Sequence, residues 1–186
     1  KGESIYSGCT SILVDDQEVD KFYEKQDVYL ENKGLFPNQY VMLVSNANQK
    51  KTALGKYIND LTPLKQILSQ KSKIWGISPR NKEQSFLLDA LMDPTIQIVT
   101  AIGKAGSGKT ICAIAAALEQ TIDERTSQYS RVIVSRPVQP LGKDIGFLPG
   151  SMEEKMTPWL MPIQDNLQFL MGNDKITLDI YMQKGT

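Results

Sequence analysis

One run of residues constrains this chain more than any other: Gly103-Lys104-Ala105-Gly106-Ser107-Gly108-Lys109-Thr110. It fits the pattern G-x-x-x-x-G-K-[ST] at every fixed position. A mostly apolar stretch, Ile96 to Ile102, leads into it and is interrupted only by Gln97 and Thr100. A stretch with alanine at positions 113, 115, 116 and 117 leads out of it. The first reads as a strand and the second as a helix from Lys109 to about Gln120. Strand, glycine turn and helix in that order are the context this pattern requires.

Each fixed residue has a physical task. Gly103 and Gly108 permit backbone angles and close approaches that a side chain would block, and Gly106 loosens the turn further. Successive N–H groups of Lys104, Ala105, Gly106, Ser107 and Gly108 can then converge on phosphate oxygens as a nest. The following helix adds the positive end of its dipole. Lys109 supplies a mobile ammonium for the β- and γ-phosphates. The Thr110 hydroxyl is a hard oxygen ligand suited to Mg²⁺. The plain alternative is a glycine-rich turn beside an ordinary surface lysine.

Composition narrows the chemistry. The chain has no histidine, so nucleophilic triads that use an imidazole base are excluded within it. Its 21 basic and 21 acidic residues balance, so no global field draws it to nucleic acid or anionic membrane. Cys9 and Cys112 lie far apart with no metal-type spacing, which suits a reducing compartment, and we expect a cytoplasmic protein. The longest apolar run, Ile111 to Leu118, is eight residues, too short to span a bilayer, so no membrane partner is expected. No basic-then-apolar leader opens the chain. It begins at Lys1, which suggests trimming from a longer protein.

The expected fold class is α/β. Residues 1–75 read as a small β-rich subdomain and residues 76–186 as a core of parallel sheet flanked by helices. In the first part, Ser11–Val14 reads as a short strand stopped by the turn signal Asp15-Asp16. Gln39–Ser45 and Thr52–Ile58 read as a hairpin about Asn46-Ala47-Asn48, and Lys73–Ile77 as a further strand. Charge is segregated: Asp15 to Glu31 holds seven acids and two lysines, whereas Lys50 to Lys73 holds six lysines against Asp60. The basic stretch could touch phosphates; two solvated faces are the plainer reading.

In the second part, Asn81 caps a helix whose apolar residues are Phe86, Leu87, Ala90 and Leu91, closed by Asp93-Pro94. Val132–Ser135 reads as a buried strand, so strand, helix and strand predict a right-handed parallel crossover. The connection from Arg136 to Gly150 is rich in proline and glycine. Ser151 and Glu154 form a capping box, and Thr157-Pro158 reads as a second helix start. Pro162 is expected to kink that helix and Gly172 to end it. Lys175–Lys184 fits strand or helix equally.

Other residues carry weaker signals. Gln84 has an amide that donates and accepts at once, matching the N6 and N7 edge of adenine; with Asn81 it also makes an ordinary helix start. Arg136, at the carboxyl end of the second expected strand, faces the ligand crevice of an open α/β sheet and could meet phosphate or nucleic-acid backbone. Lys143 and Asp144 are weaker candidates. Phe147 and Trp159 could stack on bases, or anchor their segments to the core.

With these residues in view, the chain resembles the ATPase domain of the PhoH family. The resemblance rests on Asn81 to Gln84, the loop Gly103 to Thr110, Val134-Ser135-Arg136-Pro137, the run Leu141 to Gly150, and Glu153-Glu154-Lys155-Met156. It covers Ile77 to Thr186; Gly2 to Ile74 is similar to the small β-rich segment before the ATPase in longer PhoH-like proteins, which carry a PIN nuclease domain earlier still.

The resemblance implies a RecA-like P-loop NTPase core, related to superfamily one helicases. It implies ATP and Mg²⁺ as cofactors, hydrolysis coupled to RNA unwinding or processing, single-stranded RNA as partner, and self-association into a ring-like hexamer. Gln84 would match the adenine-reading glutamine, Ser135 to Pro137 a motif that meets the nucleic-acid strand, and Arg136 and Lys143 nucleic-acid contacts. The acidic Walker B stretch, the later Gly-Asp sensor and the arginine that completes a neighbour's site have no match among these residues, so the chain is expected to be a piece of its parent. A P-loop small-molecule kinase and a nucleotide-gated assembly module without turnover are the alternative functions.

Overall fold

Asp15 holds an extended backbone at φ −64° and ψ 147°, and the chain turns from it directly into a helix. That junction organises the first half of the computed structural model, which describes residues 6–67, 72–122, 125, 127–135 and 152–172. β1 (Cys9–Val14), α1 (Asp16–Tyr23) and β2 (Tyr40–Ser45) make a strand–helix–strand unit whose strands are parallel, with Cys9 opposite Tyr40 and Val14 opposite Ser45. The acids that signalled a turn do end the strand, but they also start α1. Asp16 and Glu18 occupy its first turn, where the helix dipole favours them. Val19 and Phe22, three apart, bury one helical face. The region carries four strands, and to the β-rich reading the structure adds a crossover helix and a parallel strand pair.

β3 (Thr52–Lys56) returns antiparallel to β2, and β4 (Lys65–Gln66) pairs antiparallel with Gly55 and Lys56, giving the order β1-β2-β3-β4. The hairpin tip is where the sequence places it. Ser45 Oγ accepts from the N–H groups of Ala47 and Asn48 at 3.2 and 3.1 Å, and Ser45 N–H donates to the Lys51 carbonyl at 3.0 Å. Val19, Phe22, Val28, Leu30, Val41, Leu43, Ala53, Tyr57 and Leu64 form the core between α1 and the sheet.

The segregated charges fold onto one another. Lys51 Nζ lies 2.7 Å from both Asp16 Oδ2 and Asp20 Oδ1, and Ser45 Oγ donates to Asp16 Oδ1 at 2.6 Å. The hydrogen bonds from Lys51 and Ser45 hold the Asp16 carboxyl below its usual range, and the bonds to Asp16 and Asp20 hold Lys51 above its own. Lys56 is buried beside Asp89. Two of the six lysines in the basic stretch are thus committed to internal pairs, which weakens its reading as a phosphate surface.

α2 (Lys82–Met92) begins as expected, with Asn81 Oδ1 accepting from Gln84 N–H at 2.9 Å. By its internal contacts the chain divides into two compact units. The described residues up to 67 group with Asn81–Asp89; those between 72 and 80 group with those from Ala90 onward.

In the second unit, Ile74 and Ile77 exchange both backbone hydrogen bonds at 2.9 Å. Trp75 and Gly76 between them have φ of 46° and 77°. The expected strand over 73–77 is therefore a tight turn with a single bridge, its two central residues left-handed as in a type I′ turn. Trp75 N–H donates to Glu119 Oε2 at 2.7 Å, tying the turn to the end of α3 (Lys109–Glu119). Gln120, just beyond, is buried and links three segments. Its Nε2 donates to the carbonyls of Leu91 and Ala116, and its carbonyl accepts from Gln128 and Tyr129 N–H.

Two expected strands do not form. Residues 96–102 and 132–135 have no strand pairing, and Ile98, Ile102 and Ile133 are exposed at 84%, 97% and 78%. A buried parallel strand needs neighbours on both sides, and none of the described residues pairs with these segments. The right-handed crossover is accordingly not formed among the described residues.

α4 (Met152–Leu170) is one helix, so Thr157-Pro158 does not open a new one; both Pro158 and Pro162 lie inside it. Each removes an intrahelical donor. The helix ends at Gly172, whose φ is 72°. Residues 136–151 and 173–186, and with them the proline-rich connection and the ambiguous 175–184 stretch, lie outside the described residues. Among the described residues no helix is long and apolar enough to cross a membrane.

The chain is thus α/β, a four-strand sheet flanked by helices, as the sequence class requires.

Candidate phosphate-binding loop

The loop takes its shape from two glycines. Gly106 has φ 76° and Gly108 has φ 84°, both in the left-handed region where a β-carbon is strained. Gly108 is also the N-cap of α3, and its carbonyl accepts the first helical bond from Cys112 N–H at 3.1 Å. Gly106, which the pattern leaves open, is therefore as conformationally demanding as a fixed position. Gly103 is different. A β-carbon there would meet Ser107 Oγ at 3.4 Å and Lys109 Cδ and Nζ at 3.8 Å, ordinary van der Waals contacts, so the conformation of this loop places no steric demand for glycine at 103, unlike 106 and 108.

The loop is braced from within. Ser107 Oγ donates to the Lys104 carbonyl at 2.8 Å. Lys109 reaches back over the turn, and its Nζ donates to the carbonyls of Gly103 at 2.8 Å and Lys104 at 2.6 Å and to Ser107 Oγ at 3.1 Å. The ammonium is thus held at the mouth of the turn by neutral acceptors, which a phosphate oxygen would outcompete as a charged one. Lys104, Ala105, Gly106, Ser107 and Thr110 are exposed, and Gly108 and Lys109 are half-buried. The loop that opens α3 is therefore at the surface, with Lys109 lying over it.

α3 anchors this loop through small residues. Cys112, Ala115, Ala116 and Leu118 are buried, and α3 packs against α4. Burial pushes the Cys112 thiol up, so it acts as a packing residue and not as a nucleophile. Both cysteines are free.

The residues present fit a bound polyphosphate: left-handed glycines, an ammonium at the mouth of the turn and a helix start. For Mg²⁺ they offer the exposed Thr110 hydroxyl. Among the described residues no group of three or more acidic, histidine or cysteine ligands could hold a metal by itself. Within this chain Thr110 is the residue that would hold the cation, alongside phosphate oxygens.

The remaining sequence candidates are placed as follows. Gln84 is half-buried on α2 and belongs to the first unit, whereas the loop belongs to the second. Arg136, Lys143, Asp144 and Phe147, like the Trp159 side chain, lie outside the described residues. Sequence reasoning missed one polar cluster. Tyr40, Lys56 and Asp89 come together from β2, β3 and α2, with Tyr40 Oη donating to Asp89 Oδ2 at 2.8 Å and Lys56 Nζ 3.5 Å from the same oxygen. No local spacing signals it, because its members come from three separate elements.

Comparison with known proteins agrees with the geometry. The PhoH-like protein family profile matches residues 76–185. Protein PhoH2 of Bacillus subtilis (strain 168) is 39% identical over 176 residues, covering 93% of this chain and 39% of that protein. Protein PhoH2 of Mycolicibacterium smegmatis is 32% identical over 182 residues, covering 97% of this chain and 40% of that protein. Protein PhoH of Escherichia coli (strain K12) is 38% identical over 96 residues, covering 52% of this chain and 26% of that protein. The chain thus spans well under half the length of these relatives. No solved structure matches it. With a loop of this shape opening α3 and the family profile covering the chain from residue 76 to 185, the chain belongs to the PhoH family, a P-loop ATPase-type family.

Proposed function

We propose that the loop of residues 103–110 binds ATP and that the whole protein hydrolyses it with Mg²⁺, coupled to unwinding or processing of single-stranded RNA. The observation that carries this reading is the conformation of Gly106 and Gly108, which turns the backbone into the start of α3 with Lys109 folded over the turn. Lys109 would exchange its carbonyl acceptors for β- and γ-phosphate oxygens, moving a full charge onto the group whose negative charge must be stabilised. Thr110 would hold Mg²⁺, whose chemistry is to neutralise charge across the phosphates. Gln84 would read the adenine edge by donating and accepting at once.

Several parts of the reading draw on the family likeness: Arg136 and Lys143 as nucleic-acid contacts, a ring-like oligomer, and a cytoplasmic setting. The test is phosphate release by the full-length protein with ATP and Mg²⁺, with and without single-stranded RNA. Stimulation by RNA supports the reading. Stimulation only by a small acceptor would point to a kinase. ATP-dependent assembly with no phosphate release would point to a nucleotide-gated module.

A further inference from the structure

We propose that Ser107 is a positioning residue for Lys109: its hydroxyl holds the ammonium over the loop before the phosphates arrive, and then yields it to them. The inference rests on the reading of residues 103–110 as the phosphate-binding loop, and goes beyond it by giving a task to a side chain that the pattern leaves open. Every residue involved lies in the second unit.

A lysine ammonium carries three N–H donors and no acceptor. Lys109 Nζ donates to the Gly103 carbonyl at 2.8 Å, to the Lys104 carbonyl at 2.6 Å and to Ser107 Oγ at 3.1 Å. Its donors are therefore matched by the loop alone. Two of these acceptors are backbone carbonyls, which any residues at 103 and 104 would supply. Of the three, only the Ser107 hydroxyl depends on which side chain the sequence places there.

Chemistry fixes which way that hydroxyl turns. A carbonyl can only accept and an ammonium can only donate. Ser107 Oγ therefore gives its single proton to the Lys104 carbonyl, at 2.8 Å, and presents a lone pair to Lys109. Ser107 N–H donates to the same carbonyl at 3.4 Å, so main chain and side chain both tie the residue across the turn. An acceptor fixed in this way needs little further ordering to engage the lysine.

Two consequences follow for phosphate binding. A lysine side chain loses much rotamer freedom when its end is fixed. Ser107 is exposed and Lys109 half-buried, so an ammonium without loop acceptors would range through water. Holding it over the loop takes that entropic loss before the nucleotide binds. The hold must also be released. The contact to Ser107 is the longest of the three, and its acceptor is neutral. A charged phosphate oxygen binds an ammonium more strongly and displaces this contact first, while the shorter carbonyl bonds keep the lysine over the loop.

The experiment measures, by titration calorimetry, the affinity of the full-length protein for ATP with Mg²⁺ and for inorganic tripolyphosphate. The variants are Ser107→Ala, Ser107→Thr, Lys109→Ala, and Ser107→Ala combined with Lys109→Ala. We expect Ser107→Ala to weaken both ligands about three- to tenfold, the scale of one modest hydrogen bond. Ser107→Thr keeps a hydroxyl and should bind as the original does. In the Lys109→Ala background, Ser107→Ala should cost nothing further, because the hydroxyl acts through the ammonium. An equal loss in both backgrounds would show that Ser107 only braces the turn through Lys104, and overturns the proposal. Unchanged or tighter binding by Ser107→Ala alone overturns it as well, and leaves the phosphate-loop reading standing if Lys109→Ala weakens both ligands. If Lys109→Ala binds both as the original does, the phosphate-loop reading fails and the positioning role with it.

Discussion

The sheet unit and the loop unit satisfy their residues in opposite ways. In the first, all of β2 except Met42 is buried, and Lys51 and Lys56 have carboxylates beside them. In the second, the loop is fully shaped, yet the apolar segments on either side of its helix stand exposed at Ile98, Ile102 and Ile133. The difference teaches which features are local. A glycine turn capped by a helix is specified by its own few residues. A strand is a relation between segments, and none of the described residues pairs with these two.

The largest effect that would sharpen this contrast is chemical. Lys109→Ala should lower hydrolysis by the full-length protein by about a hundred- to a thousandfold, the usual loss when one preorganised charge donor is removed. Circular dichroism should be unchanged, since among the described residues the Lys109 Nζ hydrogen bonds all go to the loop. Phosphate release at the original rate would break the assignment.

A core change should do the reverse. Leu43 is completely buried between α1 and the sheet. Leu43→Ala should cost about 2–5 kcal/mol of stability, measured by urea denaturation. Hydrogen exchange at loop residues 103–110 should not change below the unfolding transition. Loss of loop structure at the same denaturant concentration would show that the two regions are not independent.

Gly108→Ala is intermediate. With φ at 84° the β-carbon costs about 1–2 kcal/mol in this conformation. The outcome to look for is weakened ATP affinity with an unshifted melting transition of the sheet unit.

These contrasts also explain what the sequence made legible. The loop, its Asn81-capped neighbour and the hairpin about Asn46-Ala47-Asn48 were readable because each is set by residues a few positions apart. α1 is not signalled locally, because Asp15-Asp16 serves equally as the strand stop and as a helix start, and only the burial of Val19 and Phe22 marks the helix. The strands over 96–102 and 132–135 were inferred from apolar content, which describes what a strand would bury and not whether a partner is there. The Lys56–Asp89 pair was invisible because its members are brought together only by the fold.

The smallest expected effect is electrostatic. Asp16 is held below its ordinary range, so its contribution to stability is complete above that range and is lost as pH falls through its folded value. Lys51 is held above its ordinary value, so its contribution persists below that value and is lost as pH rises through the folded one. The sheet unit should therefore lose a little stability at both extremes, and Asp16→Asn should flatten the acid limb. A melting temperature with the same acid limb in the variant would show that the pair is not linked to folding.

The claim at the centre is that the backbone of residues 103–110 receives the phosphates. Amide hydrogen exchange of the full-length protein, with and without ATP and Mg²⁺, tests it most directly. The account predicts slowed exchange across residues 104–110 on ATP addition, and no slowing there in Lys109→Ala. ATP binding that protects other segments while this loop exchanges as before would contradict it.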